Sequence, residues 1–160
     1  MTPIEACREA CQYQGDIVEI GAGTGETTIE LLKLAKEFNK KVIVIDPFTT
    51  NDMPPSYVYS IDAFLKKTDE YKDYLEFHRL NSLSHEAWLV VKDRQVCFAF
   101  IDGLQYLGAV WHDLRLTAHA RVQCLDDMDR STNVSQVPHA IDFFRTDKDL
   151  TIDGRWAYLK

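Results

Sequence analysis

Three of the chain's seven glycines fall within five residues, in the segment Glu19-Ile-Gly-Ala-Gly-Thr-Gly. Glycines at this density allow a tight turn with positive φ and let a ligand approach the backbone closely. The G-x-G-x-G spacing disfavours a dinucleotide fingerprint, which needs glycine where the chain has Glu26. A phosphate-binding P-loop would need a Gly-Lys pair that is missing here. We therefore expect the loop to hold a ligand without phosphates, whose amino group Glu19 could meet.

A carboxylate, Asp46, ends the second β-like run, 25 residues after Gly21. An acidic side chain at this position can accept hydrogen bonds from both hydroxyls of a ribose. The alternative is an acid that only caps the end of the strand. Pro47 weakens the capping interpretation, because the residue before a proline is kept out of helical geometry.

Three further acids follow two other hydrophobic runs. Asp102 comes directly after the most hydrophobic run of the chain, and Asp126 and Asp127 follow the next. Three carboxylates from neighbouring strand ends suit a hard cation such as Mg²⁺, and without a cation they would repel one another. The alternative is that these acids only face solvent at the edge of the sheet and bind no ion.

The four cysteines, at positions 7, 11, 97 and 124, do not have the spacing of a metal or iron–sulfur site. A radical-type cluster would need a third cysteine at position 14, where the chain has Gln14. We expect four reduced thiols without shared chemistry.

Hydrophobic periodicity divides the chain into alternating strands and helices. Strands are predicted at 16–20, 41–45, 74–78, 96–101 and 121–125, and helices at 26–38, 57–68, 84–91, 106–118 and 136–144. Asp153-Gly154 predicts a terminal hairpin. The expected fold is α/β, a Rossmann-like, doubly wound and mostly parallel seven-stranded sheet with a C-terminal antiparallel hairpin, in a single domain over residues 1–160. Ligands bind such sheets at the carboxyl ends of the strands, which is where the residues above lie.

The composition of the chain excludes several classes of function. The chain has 160 residues, a net charge of −7 and 46% hydrophobic residues, which argues against disorder and against broad nucleic-acid binding. No apolar run reaches the length of a membrane span or of a signal peptide's core. We expect a soluble, cytoplasmic protein with a small-molecule partner, and the oligomeric state is left open.

The ordered set VEIGAGTGETT, VIVIDPF, FIDG and LDD resembles class I S-adenosylmethionine-dependent methyltransferases. More narrowly, it is similar to the small branch of antibiotic sugar O-methyltransferases and cephalosporin-hydroxylase-like proteins. The resemblance implies S-adenosylmethionine as cofactor and a divalent metal such as Mg²⁺. It places around the cofactor Glu19, Gly21, Ala22, Gly23, Gly25, Asp46, Asn81, Ser82 and Asp102. It makes Asp102 catalytic and makes Asp102, Asp126 and Asp127 the metal ligands.

The chain departs from this branch at the usual general base. The branch continues its IDG motif with Asp-His, whereas this chain has Leu104 and Gln105. Leucine cannot accept a proton, so metal-assisted deprotonation would have to suffice. The sequence therefore predicts O-methylation of a small hydroxylated molecule with metal assistance. The alternatives are a catalytically degenerate cofactor-binding domain of the same fold and an oxygenase-like relative.

Overall fold

The computed structural model describes residues 1–48, 59–128, 137–143 and 148–160. Helices and strands alternate along it, with one 3₁₀ turn at Asp69–Tyr71. The helices are α1 (Pro3–Ala10), α2 (Glu26–Phe38), α3 (Ile61–Thr68), α4 (His85–Val91), α5 (Leu107–Leu116) and α6 (Val137–Phe143). The strands are β1 (Asp16–Ile20), β2 (Val42–Ile45), β3 (Leu75–His78), β4 (Val96–Ile101), β5 (Val122–Leu125), β6 (Leu150–Asp153) and β7 (Trp156–Leu159).

The strands form one seven-stranded sheet in the order β3-β2-β1-β4-β5-β7-β6. The five strands from β3 to β5 in this order pair in parallel, and β7 runs antiparallel to both of its neighbours. This confirms the predicted doubly wound sheet with its terminal hairpin. The strand order reverses between β1 and β4, so the switch point lies where these two strands end.

Helices cover both faces of the sheet, so the central strands are buried on both sides. All residues of β2 and β4 are buried, as the absence of polar alternation predicts for a parallel strand. One apolar layer joins α1, α2 and α3 to side chains such as Ile17 and Phe98. The other layer joins α4, α5 and α6 to side chains such as Val18 and Ile45. The helices therefore hold the strand ends in fixed positions.

The observed elements differ from the predicted ones chiefly at their boundaries. α3 begins at Ile61, after the N-cap Ser60, and positions 57 and 58 of the predicted helix lie outside the described residues. Positions 136 and 144 of the last predicted helix also lie outside them. α1 lies outside the predicted helices, and it is a capped helix in which Thr2 and Glu5 form a capping box.

The four cysteines are all buried free thiols. Within the described residues, no helix is long and apolar enough to cross a membrane.

Candidate functional site

The residues that follow the four central strands are fixed by backbone hydrogen bonds that continue the sheet. Each N–H donates to the carbonyl of the neighbouring strand. The bonds are Asp46 N to His78 O at 3.2 Å, Gly21 N to Ile45 O at 3.1 Å, Asp102 N to Ile20 O at 2.9 Å and Asp126 N to Ile101 O at 3.1 Å. These residues therefore lie in a row along one edge of the sheet, as the strand pattern predicted.

The glycine loop, residues 21–25, lies between β1 and α2 at the switch point. Gly21 has φ +82°, and a Cβ there would lie 2.3 Å from the carbonyl oxygen of Asp102. Only glycine lets the two loops meet this closely. Gly23 has φ +52°, but the nearest atoms to a Cβ there belong to the Tyr59 ring, at 3.6 Å. Gly21 thus serves the packing of two strand ends, whereas Gly23 leaves room for a ligand beside the backbone.

Asp46 holds the glycine loop in place. Its Oδ2 accepts hydrogen bonds from the N–H of Ala22 at 2.7 Å and of Gly23 at 3.2 Å. Its Oδ1 accepts one from the N–H of Phe48 at 2.7 Å. The sequence interpretation considered only a ribose or a strand cap, so this backbone role is an addition from the structure. Because a carboxylate has about four acceptor sites and three are used, Asp46 retains capacity for about one further donor, such as a ribose hydroxyl.

α3 fastens the other side of the glycine loop. Lys67 Nζ donates to the carbonyl of Thr24 at 2.9 Å and to Glu26 Oε1 at 2.6 Å. The rings of Phe48 and Phe64 pack beneath, with centroids 4.9 Å apart. Sequence reasoning did not single out Lys67, because its partners are 41 and 43 residues away.

Glu19 lies below the glycine loop and is fully buried. Neither of its carboxyl oxygens has a hydrogen-bond partner among the described residues. The pKa of Glu19 is raised to about 8. Burial is the largest cause, the Thr28 hydroxyl opposes the shift, and the charges of Asp102 and Asp46 add to it. Glu19 is therefore a neutral acid at pH 7; the Thr28 hydroxyl lies near it but makes no hydrogen bond of normal geometry to it.

Asn81 and Ser82 follow β3, further along the same edge. Asn81 Oδ1 accepts a hydrogen bond from the N–H of Leu83 at 2.9 Å and so shapes the turn before α4. Ser82 is half-buried beside Asp113 of α5, whose pKa is raised to about 7 by burial, with the Ser82 hydroxyl opposing. Sequence reasoning missed Asp113, because an acid within a helical pattern gives no sign that it is buried.

The acidic cluster, Asp102, Asp126 and Asp127, also lies at this edge, but an arginine occupies it. Arg155 Nη2 lies 2.8 Å from Asp126 Oδ2 and 2.8 Å from Asp127 Oδ1. Gln105 Nε2 donates to the other oxygen of Asp127. The pKa of Asp102 is raised to about 7. Burial is the largest cause, the charges of Asp126 and Asp127 add to it, and the charge of Arg155 opposes it.

The predicted metal site at Asp102, Asp126 and Asp127 is not supported by this arrangement. In the ranges that the structure describes, no three His, Cys, Asp or Glu side chains are grouped as metal ligands. The physical reason is that the oxygens of Asp126 and Asp127 already accept N–H donors, and the point where the two carboxylates converge is taken by Arg155 Nη2. These residues do not fit the expected ion.

The sheet order, the single antiparallel strand β7 and a glycine loop after β1 define a class I S-adenosylmethionine-dependent methyltransferase. Residues 18–124 match the family described as a methyltransferase domain, and the chain belongs to this family. No curated protein sequence gives a significant match.

Solved structures with the same fold include several O-methyltransferases. CalS11, a TDP-rhamnose 3'-O-methyltransferase of calicheamicin biosynthesis, superposes with a TM-score of 0.74 at 15% identity, over 98% of this chain and 76% of its own. TomG from Streptomyces achromogenes, an O-methyltransferase of tomaymycin synthesis in complex with S-adenosylmethionine, gives 0.64 at 16% identity, over 98% and 77%. A Podospora anserina methyltransferase bound to S-adenosylhomocysteine gives 0.64 at 12% identity, over 99% and 75%.

Replacing Asp46 with alanine should lower the free energy of unfolding of the ligand-free protein by about 2–4 kcal/mol. The substitution leaves the N–H groups of Ala22 and Phe48 buried without their acceptor. Urea denaturation measures the loss, with Asp73→Ala as the control at an exposed aspartate. Equal stability of the two variants would contradict the role of Asp46 in holding the loop.

Proposed function

We propose that this methyltransferase transfers the methyl group of S-adenosylmethionine to a hydroxyl of a small molecule. The observation that carries the proposal is the buried and unpaired carboxyl of Glu19 beneath the open side of the glycine loop. An enclosed acid without a partner is costly, and a cationic ligand at the loop would relieve that cost. The ammonium group of the cofactor's methionine part has the required charge.

The residues at the strand ends fit the rest of that cofactor. Gly23 leaves space beside the loop backbone, and Asp46 keeps acceptor capacity for a ribose hydroxyl. Asn81 and Ser82 lie one strand beyond Asp46, at the distal end, where they would border the adenine. Gly21, Ala22 and Gly25 shape the loop, and Asp102 closes the site on the side of β4. Their assignment as binding residues is part of this proposal.

When bound, S-adenosylmethionine supplies an electrophilic methyl group on its sulfonium. The chain's part is to align an acceptor oxygen with that methyl and to take the hydroxyl proton. Leu104 occupies the position of the usual base and cannot take a proton. Asp102, half-buried at the switch point, is the acid of the cluster to which Arg155 donates no hydrogen bond, and we assign it as the proton acceptor.

The class of acceptor is a hydroxyl on a sugar or a phenol. One structural relative is a TDP-rhamnose 3'-O-methyltransferase, so nucleotide-linked deoxysugars are the first compounds to test. Simple phenols and catechols form the second set, because their hydroxyls lose a proton more readily than a sugar hydroxyl.

Gly23→Val should weaken S-adenosylhomocysteine binding at least about 100-fold, because the new side chain fills the space beside the loop. Asn39→Val is a matched control, since Asn39 has φ +53° and lies at the opposite end of α2. Both variants carry a similar backbone strain of about 1–2 kcal/mol. Isothermal titration calorimetry measures both affinities. Wild-type affinity in Gly23→Val, or an equal loss in the two variants, would contradict the assignment of the loop.

Binding of S-adenosylhomocysteine at pH 7 should release a proton from Glu19. With a pKa of about 8, the carboxyl is protonated in the free protein, and an adjacent ammonium favours the carboxylate. Calorimetry in phosphate and in Tris, buffers of different ionisation enthalpy, measures the release, which Glu19→Gln should abolish.

The same group should also affect stability. Between pH 4.5 and pH 8 the folded state keeps a proton that the unfolded state loses, so Glu19 lowers stability as pH rises. The thermal midpoint of Glu19→Gln should therefore rise relative to wild type across this window. Glu86→Gln, at an exposed acid of α4, should show no such trend. A constant gap between wild type and Glu19→Gln, or equal heats in both buffers, would refute this coupling.

Asp102→Asn should lower kcat at least about 100-fold on any acceptor that the wild type methylates, a far larger change than the one in S-adenosylhomocysteine affinity. The amide keeps the shape of the side chain but cannot take the proton. Asp16→Asn is the control, because Asp16 lies at the opposite edge of the sheet and binds the N–H of Lys41. Transfer of labelled methyl measures the rates. Cofactor binding without transfer to any acceptor in the wild type would instead indicate a binding domain.

A further inference from the structure

The hairpin of β6 and β7 carries an arginine to the carboxyl end of β5. β7 pairs antiparallel with β5, which sets Ala157 opposite Leu125. The N–H of Met128 donates to the carbonyl of Arg155 at 2.7 Å. The position of Arg155 beside the acidic cluster is therefore fixed by backbone pairing, not by its side chain alone.

The guanidinium satisfies two carboxylates at once. Arg155 Nε and Nη2 donate to the two oxygens of Asp126, and Nη2 also donates to Asp127 Oδ1 at 2.8 Å. Asp126 is nearly buried, with 10% of its side chain exposed. A bidentate arginine–carboxylate pair is among the stronger and more directional charge-assisted interactions in proteins.

Neutral donors complete the arrangement. The N–H of Asp127 donates to Asp126 Oδ1 at 2.7 Å, and Gln105 Nε2 donates to Asp127 Oδ2. Asp127 has φ +59°, a left-handed backbone that is uncommon outside glycine and asparagine. Every oxygen of Asp126 and Asp127 thus accepts an N–H, and the backbone at Asp127 is turned to permit it.

We propose that Arg155 is the resident cation of the acidic cluster and takes the place of a divalent metal ion. The guanidinium supplies positive charge to Asp126 and Asp127 through fixed N–H donors, so the folded domain has no requirement for an ion at this edge. Arg155 is a positioning residue, which acts through Asp126 and Asp127 on the strand end that flanks Asp102. The effect of Arg155 on methyl transfer rests on the proposed function, whereas the absence of a metal requirement does not depend on that function.

The chemistry of the neighbouring side chains agrees with a single positive charge. One guanidinium offsets one of the two negative charges that it contacts, and the neutral N–H donors of Gln105 and of the Asp127 backbone stabilise the other. Position 105 is an amide that donates to Asp127, and position 104 is an apolar leucine, so neither adds a further negative charge. Half of the Arg155 side chain is exposed, so its replacement leaves the packing of the core intact.

Mn²⁺ titration of the ligand-free protein, followed by electron paramagnetic resonance of the free ion, tests this proposal. Wild type should show no saturable site below about 1 mM. Arg155→Gln removes the cation and leaves the three acids, and it should gain one saturable site. Arg155→Lys keeps the charge and should gain none. Arg8→Gln is the matched control, because it breaks an exposed arginine–glutamate pair elsewhere.

Thermal unfolding provides the second readout. Arg155→Gln should unfold at a lower temperature than wild type and recover at least half of the loss in millimolar Mn²⁺, whereas Arg155→Gln combined with Asp127→Asn should not recover. A saturable Mn²⁺ site in wild type that Asp127→Asn removes would overturn the proposal, and so would Arg155→Gln without any gain in binding. If Arg155→Gln does not fold, the wild-type and Arg155→Lys titrations decide alone. None of these measurements uses the cofactor, so a failure of the proposed function would appear separately, as missing S-adenosylhomocysteine binding.

Discussion

The close contact between the ends of β1 and β4 is the constraint on which the rest of the site depends. The backbone of Gly21 lies so near the carbonyl of Asp102 that a Cβ would come within 2.3 Å of it. This contact fixes the glycine loop against the loop that carries the acidic cluster. Asp46 then fixes the loop from the other side, through the N–H groups of Ala22 and Gly23. A binding site between these loops is rigid because its walls are backbone, not side chains.

The same end of the sheet concentrates buried acids. Burial raises the pKa of Glu19, Asp102 and Asp113 toward or above neutrality, and neither Glu19 nor Asp113 has a hydrogen-bond partner among the described residues. Such groups lower the stability of the free protein. A cationic ligand beside Glu19 would recover part of that stability, so binding and folding are linked at this site. Strain and unpaired polar groups commonly gather where a ligand belongs.

The fold could be predicted from the sequence because periodicity and punctuation are local signals. The runs that end at Ile45 and Ile101 lack polar alternation, and parallel strands place whatever follows them at a common edge. This is why the positions of Asp46 and Asp102 were predictable from spacing alone. The partners of these residues were not, because a carboxylate at a strand end can bind a ribose, a metal, a backbone amide or a guanidinium. The contact of Asp126 with Arg155 spans 29 residues and depends on the hairpin register.

Arg155 and Leu104 can be understood together as departures from one pattern. In a metal-assisted methyltransferase, the ion both neutralises the strand-end acids and acidifies the acceptor hydroxyl. A guanidinium can perform the first task, since it holds Asp126 and Asp127 by charge and hydrogen bonds. It cannot perform the second, because it has no open coordination position and does not ionise a bound hydroxyl. With leucine at position 104, our proposal assigns removal of the acceptor's proton to Asp102, which lies beside the two acids that Arg155 holds. Of the two proposed classes of acceptor, a sugar hydroxyl would depend more strongly on Asp102 as base than the more acidic hydroxyl of a phenol.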